Sequence, residues 1–198
     1  MSLSRDLVFE RARRYAFTGR NFERADLRGK DFRNVNFTCS SFRGADLSGS
    51  DLSGAVFVSA DLSRACLHKC VAVGANFSGA DMTGAYCKAA DFSRAIMWHT
   101  VLKGGIFKTA KFFGTDLTGA DFARAEMLGA RFDDAVVEGV RNIDRAIFRW
   151  FLPPFGGKPC YDPFPGAVVL TESLLGGESY QENSGLGQSG LDYERQMA

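Results

Sequence analysis

Large apolar side chains recur at every fifth position from Phe17 to Val137, with no residue inserted or lost. These 25 positions hold 12 Phe, 7 Leu and 3 Met, with Ala72, Cys87 and Val137 once each. Two residues earlier stands Ala in 15 of the 25 units, one residue earlier Asp or Asn in 12, and two residues later Gly in 13. A period of five matches neither the helix period of about 3.6 nor the strand period of about 2, so a helix or flat strand would scatter the Phe residues over every face. A unit that turns a corner every five residues avoids this. One large and one small side chain then point inward per unit, and Gly or Asn relaxes the corner.

The unit A-(D/N)-(L/F)-x-x is intact as ADLSG at 45–49, ANFSG at 75–79, ADMTG at 80–84, ADFSR at 90–94 and ADFAR at 120–124. It resembles the pentapeptide repeat proteins. That resemblance implies an all-β fold, a right-handed quadrilateral parallel β-helix with four units per coil. Adding 20 then gives the inward columns: Phe17, Phe37, Phe57 and Phe77 continue to Met97, Leu117 and Val137, and Phe92, Phe112 and Phe132 share another. Proline would break the ladder between coils, and residues 1–152 contain none.

The expected organisation is an N-terminal cap at 1–15, the β-helix at 16–140, a helical cap at 141–152 and an extended proline-containing arm at 153–198. Both ends of a rod expose core and strand edges, which is why caps are expected. Asn142 is the expected N-cap of the C-terminal helix, ahead of Ile143, Phe148 and Phe151 at helical spacing. The resemblance adds that such caps form homodimers; Ile143, Phe148, Trp150 and Phe151 would supply the contact. In the arm, Phe155, Tyr161, Phe164, Tyr180 and Tyr193 are spaced like anchors, and AVVLTESLL at 167–175 reads as a strand able to lie on a neighbour.

Net charge of +1 excludes a chain that binds nucleic acid by overall basicity or imitates it by overall acidity. The charge is uneven, with a basic start over residues 1–44 and an acidic stretch over 151–198. The basic N-terminal coils present no aromatic platform outward, so nucleic acid is not the expected partner. Arg5, Asp6 and Glu10 stand where a signal peptide needs an apolar run, and no stretch is long enough for a membrane span. The expected location is the cytoplasm, or a virion for a phage-encoded chain. Five cysteines without regular spacing fit reduced thiols.

No catalytic, cofactor or metal site emerges. Asp before the central residue repeats too widely to be catalytic and reads as a solvated or corner-bonding group. Within CLHKC at 66–70, Cys66 and His68 point outward while Cys70 fills an inward Ala slot, so one ion cannot take all three. The glycines are punctuation at period five rather than a phosphate loop.

The polar coat fails around the fifth coil, where Ile96, Trp98, Val101, Ile106 and Phe113 take outward positions, with Tyr86 below Ile106. Strand surfaces tolerate such residues, but Trp and Phe on a rigid face also make binding anchors. The expected function is a non-enzymatic structural and protein-interaction module, a rod whose arm docks onto a larger protein assembly, such as a phage capsid or tail. The alternative comes from the fluoroquinolone-resistance branch of the resembled family, which imitates DNA and binds type II topoisomerase through a strongly acidic face. Outward Arg24, Arg28, Arg33, Arg43, Lys69, Lys88, Lys103 and Lys108 oppose it.

Overall fold

The computed structural model describes residues 17–143 and Ala146. The proposed N-terminal cap, most of the C-terminal cap (Phe148, Trp150 and Phe151 included) and the arm with Phe155, Tyr161, Phe164, Tyr180 and Tyr193 lie outside the described residues.

Every bridge joins residues 20 apart and is parallel, from Asn21↔Ser41 to Asp121↔Arg141. Four five-residue units therefore close one coil, and the coils stack in register. Units of the inner coils repeat one set of hydrogen bonds. The central amide donates to the next coil (Phe37 N–H to Val56 O, 2.7 Å), as does the amide two residues on (Gly54 N–H to Val73 O, 2.9 Å). The amide before the centre donates to the preceding coil (Asp61 N–H to Ser40 O, 3.0 Å). A fourth bond closes the corner, as from Ala80 N–H to Phe77 O at 2.9 Å.

The corner needs a left-handed residue at its third position, as a type II turn does. All 25 units comply, with 13 Gly and 12 other residues such as Arg64 (φ 58°), Ala89 (φ 57°) and His99 (φ 53°). Glycine is thus favoured there by backbone sterics but not required.

One amide per unit, just after the centre, has neither ladder nor corner partner. The Asp or Asn before the centre accepts from it across two residues, as in Ser48 N–H to Asp46 Oδ1 (2.9 Å), Ser78 N–H to Asn76 Oδ1 (2.9 Å) and Thr83 N–H to Asp81 Oδ1 (2.8 Å). All 12 Asp and Asn at this position make that bond. This Asx turn satisfies a backbone donor that the fold itself leaves over. It accounts for the recurring carboxylates without any catalytic role.

Inside, the Phe columns form as the spacing predicts. Phe57 and Phe77 stack with centroids 5.0 Å apart and planes 2° off parallel, and Phe112 and Phe132 at 4.9 Å and 2°. Where the small inward residue is Thr, its hydroxyl still bonds: Thr100 Oγ1 donates to Phe77 O at 2.9 Å and Thr115 Oγ1 to Phe92 O at 2.7 Å.

The upper end departs from expectation. Arg141 keeps the ladder in frame with Asp121, and Asn142 adopts φ 57° while its Nδ2 donates to Asp121 Oδ1 at 2.9 Å. An N-cap requires an extended φ, so Asn142 is not one. It is a further left-handed corner that ties the last described coil to the one below.

Candidate interaction surface

Turning one corner per unit makes residues five apart face in perpendicular directions and residues ten apart in opposite ones. The outward apolar residues of the fifth coil therefore form a belt, not one surface. Ile96 and Trp98 lie on the first side, Val101 on the second, Tyr86 and Ile106 on the third, and Phe113 on the fourth. Ile96 and Trp98 flank the buried Met97, and Val101 follows around the His99 corner. Tyr86 and Ile106 are brought together as a bridged pair in adjacent coils. Ile143 stands beside the last coil, half-buried against the core.

Exposure ranks these residues. Trp98 is 49% exposed and Tyr86 38%, while Ile96, Val101, Ile106 and Phe113 are half-buried by their neighbours. Phe113 is covered in part by Arg131, whose guanidinium lies 4.7 Å from the ring centroid. Tyr86 packs against His68 at 5.8 Å between centroids. Val71, outside the residues expected in the patch, is 41% exposed on the fourth side. Its signal was present, since Val71 occupies a slot where Asp or Asn prevails.

The belt forgoes the Asx bond. In the fifth coil the residues before the centre are Ile96, Val101, Ile106 and Lys111, none able to accept, so four consecutive units lack it. The units from Glu126 onward lack it too, but there Glu126, Arg131 and Arg141 keep the surface charged.

Polar groups elsewhere are largely engaged within the rod. Arg28 bonds Asp26 at 2.7 Å and approaches Asp46 in the next coil at 3.8 Å; Arg33 treats Asp31 and Asp51 alike. Arg43 pairs with Asp61, Lys103 with Asp121 and Lys108 with Glu126. The Arg28 hydrogen bonds hold the Asp26 carboxyl down at about 2. Burial would raise the Asp116 carboxyl, but bonds from Thr118 and from the Trp98 side chain outweigh it and hold it below its ordinary value. The half-exposed indole leaves its ring free for contact.

In CLHKC the three groups diverge. Cys66 Sγ meets Ser48 Oγ at 3.1 Å, His68 Nδ1 lies 3.0 Å from Lys88 O, and Cys70 is buried with its thiol pushed up by desolvation.

The sequence profile described as pentapeptide repeats matches this chain in eight copies between residues 17 and 141. The chain belongs to the pentapeptide repeat family. Membership brings the right-handed quadrilateral β-helix that the coil register displays. Among solved structures, a pentapeptide repeat protein of the Arabidopsis thaliana thylakoid lumen is 31% identical, with a TM-score of 0.44 over 50% of this chain and 66% of that one. The protein Rfr23 of the cyanobacterium Cyanothece 51142 is 19% identical, with a TM-score of 0.31 over 73% and 98%. QnrB1, a plasmid-mediated fluoroquinolone resistance protein, is 20% identical, with a TM-score of 0.32 over 67% and 79%. A comparison with proteins of curated function gives no significant match. Among the described residues no helix is long and apolar enough to cross a membrane.

Proposed function

We propose that this pentapeptide repeat protein is a non-enzymatic docking module, a rigid rod that binds a protein partner through the belt around Trp98, with the arm at 153–198 as a second point of attachment to a larger assembly. The observation that carries this reading is the fifth coil. It gives up four consecutive backbone-satisfying Asx bonds, each worth on the order of 1 kcal/mol, and displays Ile96, Trp98, Val101 and Ile106 in return. A large aromatic held rigidly and left half-exposed is the kind of residue that dominates binding energy. Nothing in the comparisons favours a virion over another assembly, and the proposal stands without that setting. Homodimer formation through Ile143, Phe148, Trp150 and Phe151 belongs to the same proposal and is read by sedimentation of the full chain with and without Phe148→Asp.

Affinity capture from the native source tests the belt. Full-length protein is expected to retain a partner that the Trp98→Arg variant loses and a Ser53→Arg control keeps. An unchanged set of captured proteins with Trp98→Arg would overturn the reading.

The DNA-mimic alternative is disfavoured on electrostatic grounds. Imitating a phosphate backbone needs carboxylates free to face the partner. Here the nine Asp before the central residues accept from the backbone, and most also meet an Arg or Lys. A gyrase supercoiling assay checks the point; inhibition at micromolar protein would restore the alternative.

A further inference from the structure

The first side of the rod, from Phe17 to Gly139, carries no Lys or Arg. The other three sides share all 16 in residues 17–143, with seven, four and five in chain order. Its acids, Asp116 and Glu138, sit in the upper coils, and its outward residues include Val56, Val58, Ile96, Trp98 and Val136. Ser78 Oγ, in the column between Val58 and Trp98, is buried without a hydrogen-bond partner. One side without cations, on a rod otherwise studded with them, is the face on which an apolar segment can lie without burying an ammonium or guanidinium group.

Size selects the cover. Six steps of about 4.8 Å make the side roughly 29 Å long, and three extended residues at about 3.3 Å make it roughly 10 Å wide. A second copy laid flat on it would bury about 600 Å² in total, half the lower bound of about 1,200 Å² for a stable interface. An extended segment of nine residues, about 30 Å long, covers it from end to end. The chain holds such a segment in AVVLTESLL at 167–175, whose only charge is Glu172. It begins 24 residues after Ile143, on the neighbouring side at the rod's upper end. That tether reaches the whole side and makes the contact intramolecular, with an effective concentration near millimolar.

We propose that residues 167–175 lie along the first side of their own rod, over Val58 and Trp98. The contact is made mainly by side chains, because the central, corner and pre-central amides on this side are committed within the rod; the Val58 and Trp98 amides, which have Val56 and Ile96 in place of an Asx acceptor, are left for the segment. The proposal rests on the docking reading above and refines it: a partner reaches Trp98 by displacing the segment.

Acrylamide quenching of Trp98 in the full chain carrying Trp150→Phe tests it. Trp98 is expected to be shielded, and Leu170→Asp with Leu174→Asp is expected to raise its quenching constant and shift its emission to the red. Equal quenching with and without the two Asp substitutions would overturn the proposal. Shielding that disappears on dilution would overturn it too, by assigning the side to a second copy. Thermolysin cleavage of the chain with both tryptophans provides an independent measure: Trp98→Arg is expected to speed cutting within 167–175, and an unchanged rate counts against the segment. If quenching ignores the tail while Trp98→Arg still abolishes partner capture, the inference fails and the docking module stands. If capture survives Trp98→Arg, the module itself falls.

Discussion

The corner position offers a quantitative test of why this repeat reads Gly without demanding it. At Gly74 (φ 66°) an added Cβ meets nothing within 4 Å, so Gly74→Ala changes backbone energy alone. Left-handed geometry costs an L-residue about 1–2 kcal/mol, and replacing Gly returns about 0.4–1 kcal/mol by restricting the unfolded chain. A net loss of about 1 kcal/mol is expected. At Gly119 (φ 68°) the same Cβ would lie 2.4 Å from His99 Nδ1 and 2.6 Å from Cε1, so the imidazole must also swing aside. His99 is exposed, which keeps that extra cost near 0.5–1 kcal/mol, the scale of an off-rotamer side chain. His99→Ala should remove the extra term and leave the backbone term. Ala89→Gly, at φ 57°, should run the other way and stabilise by about 1 kcal/mol. Urea unfolding followed by circular dichroism measures all four as midpoint shifts at constant m. If Gly74→Ala were neutral or stabilising, or Ala89→Gly destabilising, left-handed strain would not be what selects glycine at the corner.

Three further outcomes follow from the coil. Asp81→Ala orphans the Thr83 amide, which Asp81 Oδ1 holds at 2.8 Å, and should lower stability by about 1 kcal/mol, whereas Asp81→Asn should be near neutral in the same unfolding assay. Phe77, fully buried above Phe57 and edge-on to Phe92, should cost about 3–5 kcal/mol on replacement by Ala, measured by the urea midpoint. The carboxyls of Asp61, Asp91, Asp116 and Asp121 are all held below their ordinary value, in each case because hydrogen bonds outweigh desolvation. A depressed folded pKa gives stability that is complete above the unfolded value of about 3.9 and is lost as pH falls through the folded one. Stability from these groups should therefore be flat from pH 5 to 7 and fall below about pH 4; a midpoint that drops between pH 7 and 5 would refute this.

The period of five exposed most of the fold because each unit repeats one backbone problem with one solution. Ala and Phe inward, Asp at the Asx position and Gly at the corner each answer a separate local demand, so the Phe57–Phe77 and Phe112–Phe132 stacks could be named by adding 20. The end of the rod was less legible. Asn142 fits an N-cap and a left-handed corner equally well by residue type, and only the φ angle and the bond to Asp121 separate them. The belt was legible as residues but not as geometry, because adjacency in sequence across a corner means divergence in space. The cation-free first side was also available from the sequence, but only once charges are summed by register rather than by distance along the chain.

The fifth coil ties stability to docking, and restoring its consensus separates the two. Ile96→Asn and Val101→Asn would place Asx acceptors beneath the Trp98 and Lys103 amides, as Asn76 does for Ser78. Asn is chosen over Asp because Asp116 flanks position 96, and Asp81 and Asp121 flank position 101, in adjacent coils. Each new bond should contribute about 1 kcal/mol, offset by the loss of half-buried β-branched packing, worth a fraction of that on a strand surface. The double variant should therefore unfold at higher urea and yet lose the partner that the native chain captures. A variant that is stabilised and still binds would show that the apolar residues of this coil are tolerated rather than used. One that loses both stability and binding would mean that Ile96 and Val101 hold the coil together, and that the missing Asx bonds were never a sacrifice.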